Sequence, residues 1–164
     1  YDLAVGLAAD GWRVVRFDFR GVGRSQGAYG HGLGETDDAL AVLAAVEVEC
    51  GRRPVLVGYS FGGAVACRTA AAQAVERLVL VATPTDVTGS ALQPLMDAMR
   101  VAPPVHIVVG DQDPFVSVAQ AQALAARFQP AAGLTVLSSA AHFLEPSDNP
   151  RVLAAVRNAL ADLA

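Results

Sequence analysis

Ser60 is the residue whose neighbours most clearly equip it for chemistry. It sits at the centre of Gly58-Tyr59-Ser60-Phe61-Gly62, a G-x-S-x-G pentapeptide. The apolar run Pro54-Val55-Leu56-Val57 precedes it, and Gly63 to Ala71, rich in helix formers, follows it. A strand, a tight turn and a helix in that order lift a serine hydroxyl clear of a sheet. The start of the helix then aims backbone N–H groups at a developing oxyanion, which makes the Phe61 N–H a candidate donor. The tightness of the turn predicts that only glycine fits at Gly58 and Gly62 without a Cβ clash. A serine in such a turn also has a plainer use, as a cap on the helix.

A serine hydroxyl is a poor nucleophile near neutral pH and needs a base within hydrogen-bond reach. The chain has 3 histidines. His142 follows the last predicted strand, in Ser138-Ser139-Ala140-Ala141-His142-Phe143-Leu144, at the sheet edge where α/β sites lie. It is the candidate base. His106 falls inside a predicted strand and reads as a packed or edge histidine. His31, between Gly30 and Gly32, reads as a solvated loop residue.

The base needs an acid to fix its tautomer and stabilise the imidazolium. Gly110-Asp111-Gln112-Asp113-Pro114 follows the fourth predicted strand at the same edge. Asp113 is favoured, because Pro114 pushes its backbone away from helix toward an extended turn. Asp111 is the second choice and Asp86, after the preceding strand, the third. Each of them also suits a turn or a cap.

The elements that would position these residues alternate between strand-like and helix-like patterns, which predicts a parallel α/β sheet. Strands are expected at Trp12–Phe19, Pro54–Tyr59, Arg77–Ala82, Val105–Gly110 and Leu134–Leu137. Their short apolar runs suit strands covered on both faces. A helix is expected through Leu40, Leu43 and Val46, opened by the acids Glu35, Asp37 and Asp38. Ser117-Val118-Ala119-Gln120 reads as a capping box before Leu124 and Phe128. Pro150, after the cap candidates Ser147, Asp148 and Asn149, opens a last helix through Leu153, Val156 and Leu160. Leu92, Leu95, Met96 and Met99 fit one amphipathic helix between the third and fourth strands.

Composition narrows the partners. The chain has 164 residues, of which 53% are hydrophobic, a net charge of −4 and a pI near 5.2. One folded domain over residues 1–164 is expected, and neither nucleic acid nor an anionic membrane is an expected partner. Cys50 and Cys67 do not form a disulfide framework, and Cys67 reads as a small buried residue. No apolar run reaches the roughly 20 residues of a membrane span, and no basic signal-peptide segment opens the chain. A cytoplasmic location is expected. No Cys/His cluster has metal-ligand spacing, so neither a metal nor an organic cofactor is expected.

Asp18-Phe19-Arg20-Gly21-Val22-Gly23-Arg24-Ser25-Gln26-Gly27 resembles the D-x-R-G-x-G-x-S-x-G segment of the α/β-hydrolases. With the elbow at Ser60 and the order Ser60, Asp113, His142, the chain resembles that superfamily over nearly its whole length. It is most similar to small, lidless bacterial hydrolases related to serine aminopeptidase-like and, more distantly, dienelactone hydrolase-like proteins. The resemblance implies Ser60 as nucleophile, Asp113 as acid and His142 as base. Arg20, Gly21 and Gly23 would shape a loop beside the site, a role that is also purely structural. The implied fold is an α/β-hydrolase fold, with a mostly parallel sheet and helices on both faces.

In that fold a central strand lies between the strands at Trp12–Phe19 and Pro54–Tyr59, and its following loop supplies a second oxyanion donor. This chain opens on Tyr1, inside what corresponds to the first helix. An N-terminally truncated domain is therefore expected, with a gap between those two strands or an altered pairing. The expected activity is hydrolysis of a small-molecule acyl substrate, an ester, thioester or amide, through an acyl-serine. Two alternatives use the same fold: a non-catalytic interaction module, and an acyltransferase or perhydrolase with another acceptor.

Overall fold

The computed structural model describes residues 1–87, 90–91 and 103–163. Its elements, in chain order, are α1 (Asp2–Ala9), α2 (Leu33–Cys50), β1 (Val55–Tyr59), α3 (Phe61–Ala72), β2 (Arg77–Val81), β3 (Asp86–Val87), β4 (Ser90–Ala91), β5 (Val105–Gly110), α4 (Val118–Ala125), β6 (Gly133–Leu137) and α5 (Asn149–Leu160). Four strands form a parallel sheet in the order β1-β2-β5-β6. Gly58 pairs with Leu80, Leu80 with Ile107, and Ile107 with Leu134. β3 and β4 form a separate short antiparallel pair.

Parallel strands cannot be joined by tight turns, so the chain returns through helices and covers the sheet on both faces. Residue alternation along the strands divides the core. Leu78, Leu80, Ile107 and Val109 pack with Leu43 of α2, Ala64 and Cys67 of α3, and Ala121 and Leu124 of α4. Val79, Val81, Val108 and Leu137 pack on the opposite face with Leu7 of α1 and Val152 and Val156 of α5. Full burial of side chains of this size stabilises by about 1.5–3 kcal/mol each relative to exposure.

The helix boundaries follow their caps. Ser117 Oγ accepts from the Gln120 N–H, and Gln120 Oε1 accepts from the Ser117 N–H, the reciprocal box expected from the sequence. Glu35 Oε1 and Oε2 reach back to the N–H groups of Gly30 and Gly32, each at 2.7 Å, and open α2. α5 begins after Asp148 with Pro150 in its first turn. α1 lies against α5, where Arg157 forms a two-pronged pair with Asp10, both contacts at 2.7 Å. None of the described helices is long and apolar enough to cross a membrane.

Two expectations change. Trp12–Phe19 is not a strand: it pairs with nothing among the described residues, and residues 13–18 are exposed. β-propensity describes how a side chain fits a paired, half-buried surface, and without a partner ladder the segment forms no strand. Among the described residues β1 accordingly pairs only with β2, and Trp12–Phe19 is not hydrogen-bonded to it. The second change is at Gly62, where a Cβ would meet nothing within 4 Å. The tight contacts fall at Gly58, against Gly62 and Gly63, and at Gly63, against Thr83. The amphipathic helix expected over Leu92–Met99 lies outside the described residues.

Candidate active site

Three strand ends meet at one edge of the sheet. β1 delivers Ser60, β5 leads into the turn holding Asp113, and β6 leads into the loop holding His142. Parallel strands place all their C-terminal ends on the same side, which brings residues from distant parts of the chain together there.

Ser60 has φ 49° and ψ −119°, a conformation that costs a non-glycine residue of order 1–3 kcal/mol. It is held there from both sides. Its N–H donates to the Val81 carbonyl at 2.9 Å, and its own carbonyl accepts from the Gly63 N–H at 2.9 Å. β1 and α3 come together so closely at this turn that neither Gly58 nor Gly63 has room for a side chain. The hydroxyl does not cap α3. It points instead to His142, with Ser60 Oγ 2.8 Å from Nε2.

His142 is 5% exposed and Asp113 8%. Asp113 Oδ2 lies 2.8 Å from His142 Nδ1. A carboxylate can only accept, so Nδ1 carries the proton and Nε2 is left free to accept from the serine. The other carboxylate oxygen, Oδ1, accepts from the N–H groups of Phe115 at 2.8 Å and Val116 at 2.9 Å. Asp113 thus accepts three hydrogen bonds, and the two to Oδ1 hold the carboxylate in place against the imidazole.

The other candidates fall elsewhere. Asp111 is exposed and accepts from the Ser139 N–H at 2.6 Å, which shapes the loop before His142. Asp86 lies in β3. His106 stands on β5 with Nε2 2.8 Å from Thr135 Oγ1, and burial, then the Arg77 charge, lower its pKa. His31 is exposed beside Tyr29, with ring centroids 4.8 Å apart. No group of three or more His, Cys, Asp or Glu side chains among the described residues is arranged to hold a metal ion.

Three residues of the site stand out in no motif of the sequence. The Tyr59 hydroxyl donates to the backbone carbonyl of His142 at 2.6 Å. Burial, and then the nearby Asp113 charge, push its phenol pKa up, so it stays a donor. Phe115 and Phe143 flank the imidazole edge-on, with centroids 4.8 and 5.3 Å from it. An aromatic residue beside a proline turn or a loop histidine is the one hint the sequence offers for them.

The Asp18–Gly30 loop borders the same edge. Arg20 grips Asp38 of α2 through Nε and Nη2, the latter at 2.7 Å, and its backbone N–H donates to Asp38 Oδ2 at 2.9 Å. These contacts hold the Asp38 carboxyl below the usual range. Burial pushes the Glu35 carboxyl up, but the N–H groups of Gly30, Glu35 and Gly32 and the Arg20 charge together outweigh it and hold it low. The loop thus fastened sets Phe19 and Tyr29 against Phe61, with centroids 6.2 and 5.8 Å apart. Arg20 faces α2 and serves as a structural tie.

A strained serine on a strand-to-helix turn, joined through an imidazole to a buried carboxylate at the C-terminal edge of a parallel sheet, is an arrangement shared with a large class of enzymes. Residues 1–99 match the alpha/beta hydrolase fold family, and the chain belongs to it. Among solved structures, an alpha-beta serine hydrolase homologue from Coxiella burnetii is 35% identical, with a TM-score of 0.80. The match covers 99% of this chain and 74% of that one. A serine hydrolase without a lid from Xanthomonas campestris is 28% identical with a TM-score of 0.84, covering 99% and 72%. An uncharacterized protein of Rickettsia prowazekii is 39% identical over 62 residues. That stretch is 37% of this chain and only 26% of the Rickettsia protein.

Proposed function

We propose that this site hydrolyses a small ester, thioester or amide through an acyl-Ser60 intermediate. Ser60 is the nucleophile, His142 the base and Asp113 the orienting acid. The observation that carries the reading is the continuous chain from Ser60 Oγ to His142 Nε2 and from Nδ1 to Asp113 Oδ2, each link 2.8 Å. The serine hydrolase relatives from Coxiella and Xanthomonas support it.

In the first half-reaction Ser60 Oγ attacks the carbonyl carbon while its proton passes to His142 Nε2. The resulting imidazolium donates from Nδ1 to the Asp113 carboxylate, which remains ionised. The oxyanion that forms is stabilised by the Phe61 N–H at the start of α3, where first-turn donors lack intrahelical partners. The bond to the leaving group breaks, and that group departs with the proton from Nε2. Water then gives its proton to Nε2 and attacks the acyl carbon. Ser60 Oγ leaves, recovers the proton, and the acid is released. The connection Thr83–Pro104 is short for a lid, which favours a small substrate that enters without closure.

Labelling with a fluorophosphonate probe tests the reading. Ser60 of the full chain should be modified, and Ser60→Ala should abolish the signal. A folded protein that remains unlabelled would instead be a non-catalytic member of the family.

A further inference from the structure

We propose that Phe115 and Phe143 seat the leaving group, and that the preferred leaving group is neutral and aromatic. The proposal rests on the Ser60 reading and adds the substrate class to it. Whatever group departs must take a proton from His142 Nε2, so its oxygen has to come within hydrogen-bond reach of that atom. The rest of the leaving group then lies over the surroundings of the imidazole.

Those surroundings are aromatic. Phe115 meets the imidazole at 69° and Phe143 at 89°, and the two phenyl rings are 6.1 Å apart at 80°. Tyr59 adds a third ring, tilted at 32° to the imidazole with centroids 5.8 Å apart. The imidazole is buried, yet Phe115 is 58% and Phe143 73% exposed. Adjacent exposed apolar rings beside the imidazole mark a place where another apolar surface docks. Edge-to-face spacing of this kind favours a further aromatic ring over an alkyl chain.

The rings stand on the loops of the acid and the base. Phe115 belongs to the turn whose N–H groups bind Asp113 Oδ1, and Phe143 directly follows the base. The seat is therefore built by the same two loops that supply the acid and the base. The ionisable groups on those loops are the carboxyls of Asp111, Asp113, Glu145 and Asp148 besides His142, and Arg151, which donates to the Ser138 carbonyl, is paired with Asp148, so an anionic leaving group meets mostly like charge. When the acyl C–O bond breaks, the leaving oxygen takes the bonding pair and the Nε2 proton. It departs across the exposed faces of the two rings as a neutral phenol.

Phenyl acetate, 2-naphthyl acetate and 4-sulfophenyl acetate test this on the full chain. All three pass through the same acetyl-Ser60, so differences in kcat/KM report the leaving group. The naphthyl ester should exceed the phenyl ester by about tenfold, the scale of discrimination by an apolar pocket, and the sulfonated ester should fall below both. Phe115→Ala and Phe143→Ala should each bring the naphthyl-to-phenyl ratio close to one. Phe115→Leu and Phe143→Leu, which keep apolar cover without the ring, should lower it part of the way. A ratio near one in the wild type, or one that both alanine variants retain, overturns the leaving-group seat alone. Ser60 that stays unlabelled by a fluorophosphonate overturns the hydrolase reading, and this proposal with it.

Discussion

The Tyr59 hydroxyl is bonded to the carbonyl of His142, 83 residues further along the chain, at 2.6 Å. Tyr59 immediately precedes Ser60. The end of one strand thus holds Ser60 through its backbone and His142 through a side chain. Removing the hydroxyl frees the histidine loop without touching the Ser60 hydroxyl or the imidazole. Tyr59→Phe should lower kcat by about tenfold, the worth of one hydrogen bond of this kind, and leave KM nearly unmoved. Steady-state kinetics well below the melting temperature checks it. An unchanged kcat with a lowered melting temperature would reduce Tyr59 to a stabilising contact.

Ser60, His142 and Asp113 should behave as one unit. Ser60→Ala and His142→Ala are each expected to lose on the order of 10⁶-fold in kcat, with the double variant no worse. Asp113→Asn should lose about 10⁴-fold through the wrong histidine tautomer. Asp111→Asn touches only the loop and should lose less than about tenfold. Ester hydrolysis by the five proteins separates these cases, and additive losses in the double variant would contradict the assignment.

Gly62 and Gly63 are neighbours with opposite tolerances. A Cβ at Gly62 enters open space, whereas one at Gly63 overlaps Thr83. Gly62→Ala should leave stability equal or higher, by up to about 1 kcal/mol from helix propensity. Gly63→Ala should cost about 1–3 kcal/mol by forcing α3 away from β2. Urea denaturation of both variants measures the contrast, and equal midpoints would argue against the packing described for this turn.

Acid should loosen the Arg20 loop. The carboxyls of Glu35 and Asp38 are both held below their unfolded values. Their contribution is complete above the unfolded carboxylate range, about pH 4, and is lost as pH falls through the depressed folded values. Stability measured by urea should therefore fall from pH 5 downward. Glu35→Gln, which cannot ionise, should be less stable at pH 7 and show a shallower acid limb. An identical slope in wild type and variant would place the acid sensitivity elsewhere.

Local signals read well where local physics decides. The turn at Ser60, the capping box at Ser117, the proline opening α5 and the strand Val105–Gly110 all depend on residues close in sequence, and each lies where the pattern placed it. Trp12–Phe19 did not, because a strand is made by its partner and hydrophobic pattern says nothing of whether one is present. Tyr59 was opaque for a related reason: its hydroxyl acts on a backbone carbonyl brought close only by the order of the strands. Gly62 shows a third limit. The glycine spacing identifies a crowded turn but does not say which glycine bears the crowding.

The pairing of α1 with α5 has a consequence for synthesis. Asp10 and Arg157, joined at 2.7 Å, are 147 residues apart. Of the helices described, α1 therefore waits longest for its neighbour. Contacts this distant in sequence form late, after the sheet that both helices cover. Until α5 emerges, Leu7 and the face of the sheet bearing Val79 and Val108 lack the cover of Val152 and Val156. That interval, at roughly 5–20 residues per second, is when the nascent chain is most exposed to aggregation and most in need of a holding chaperone.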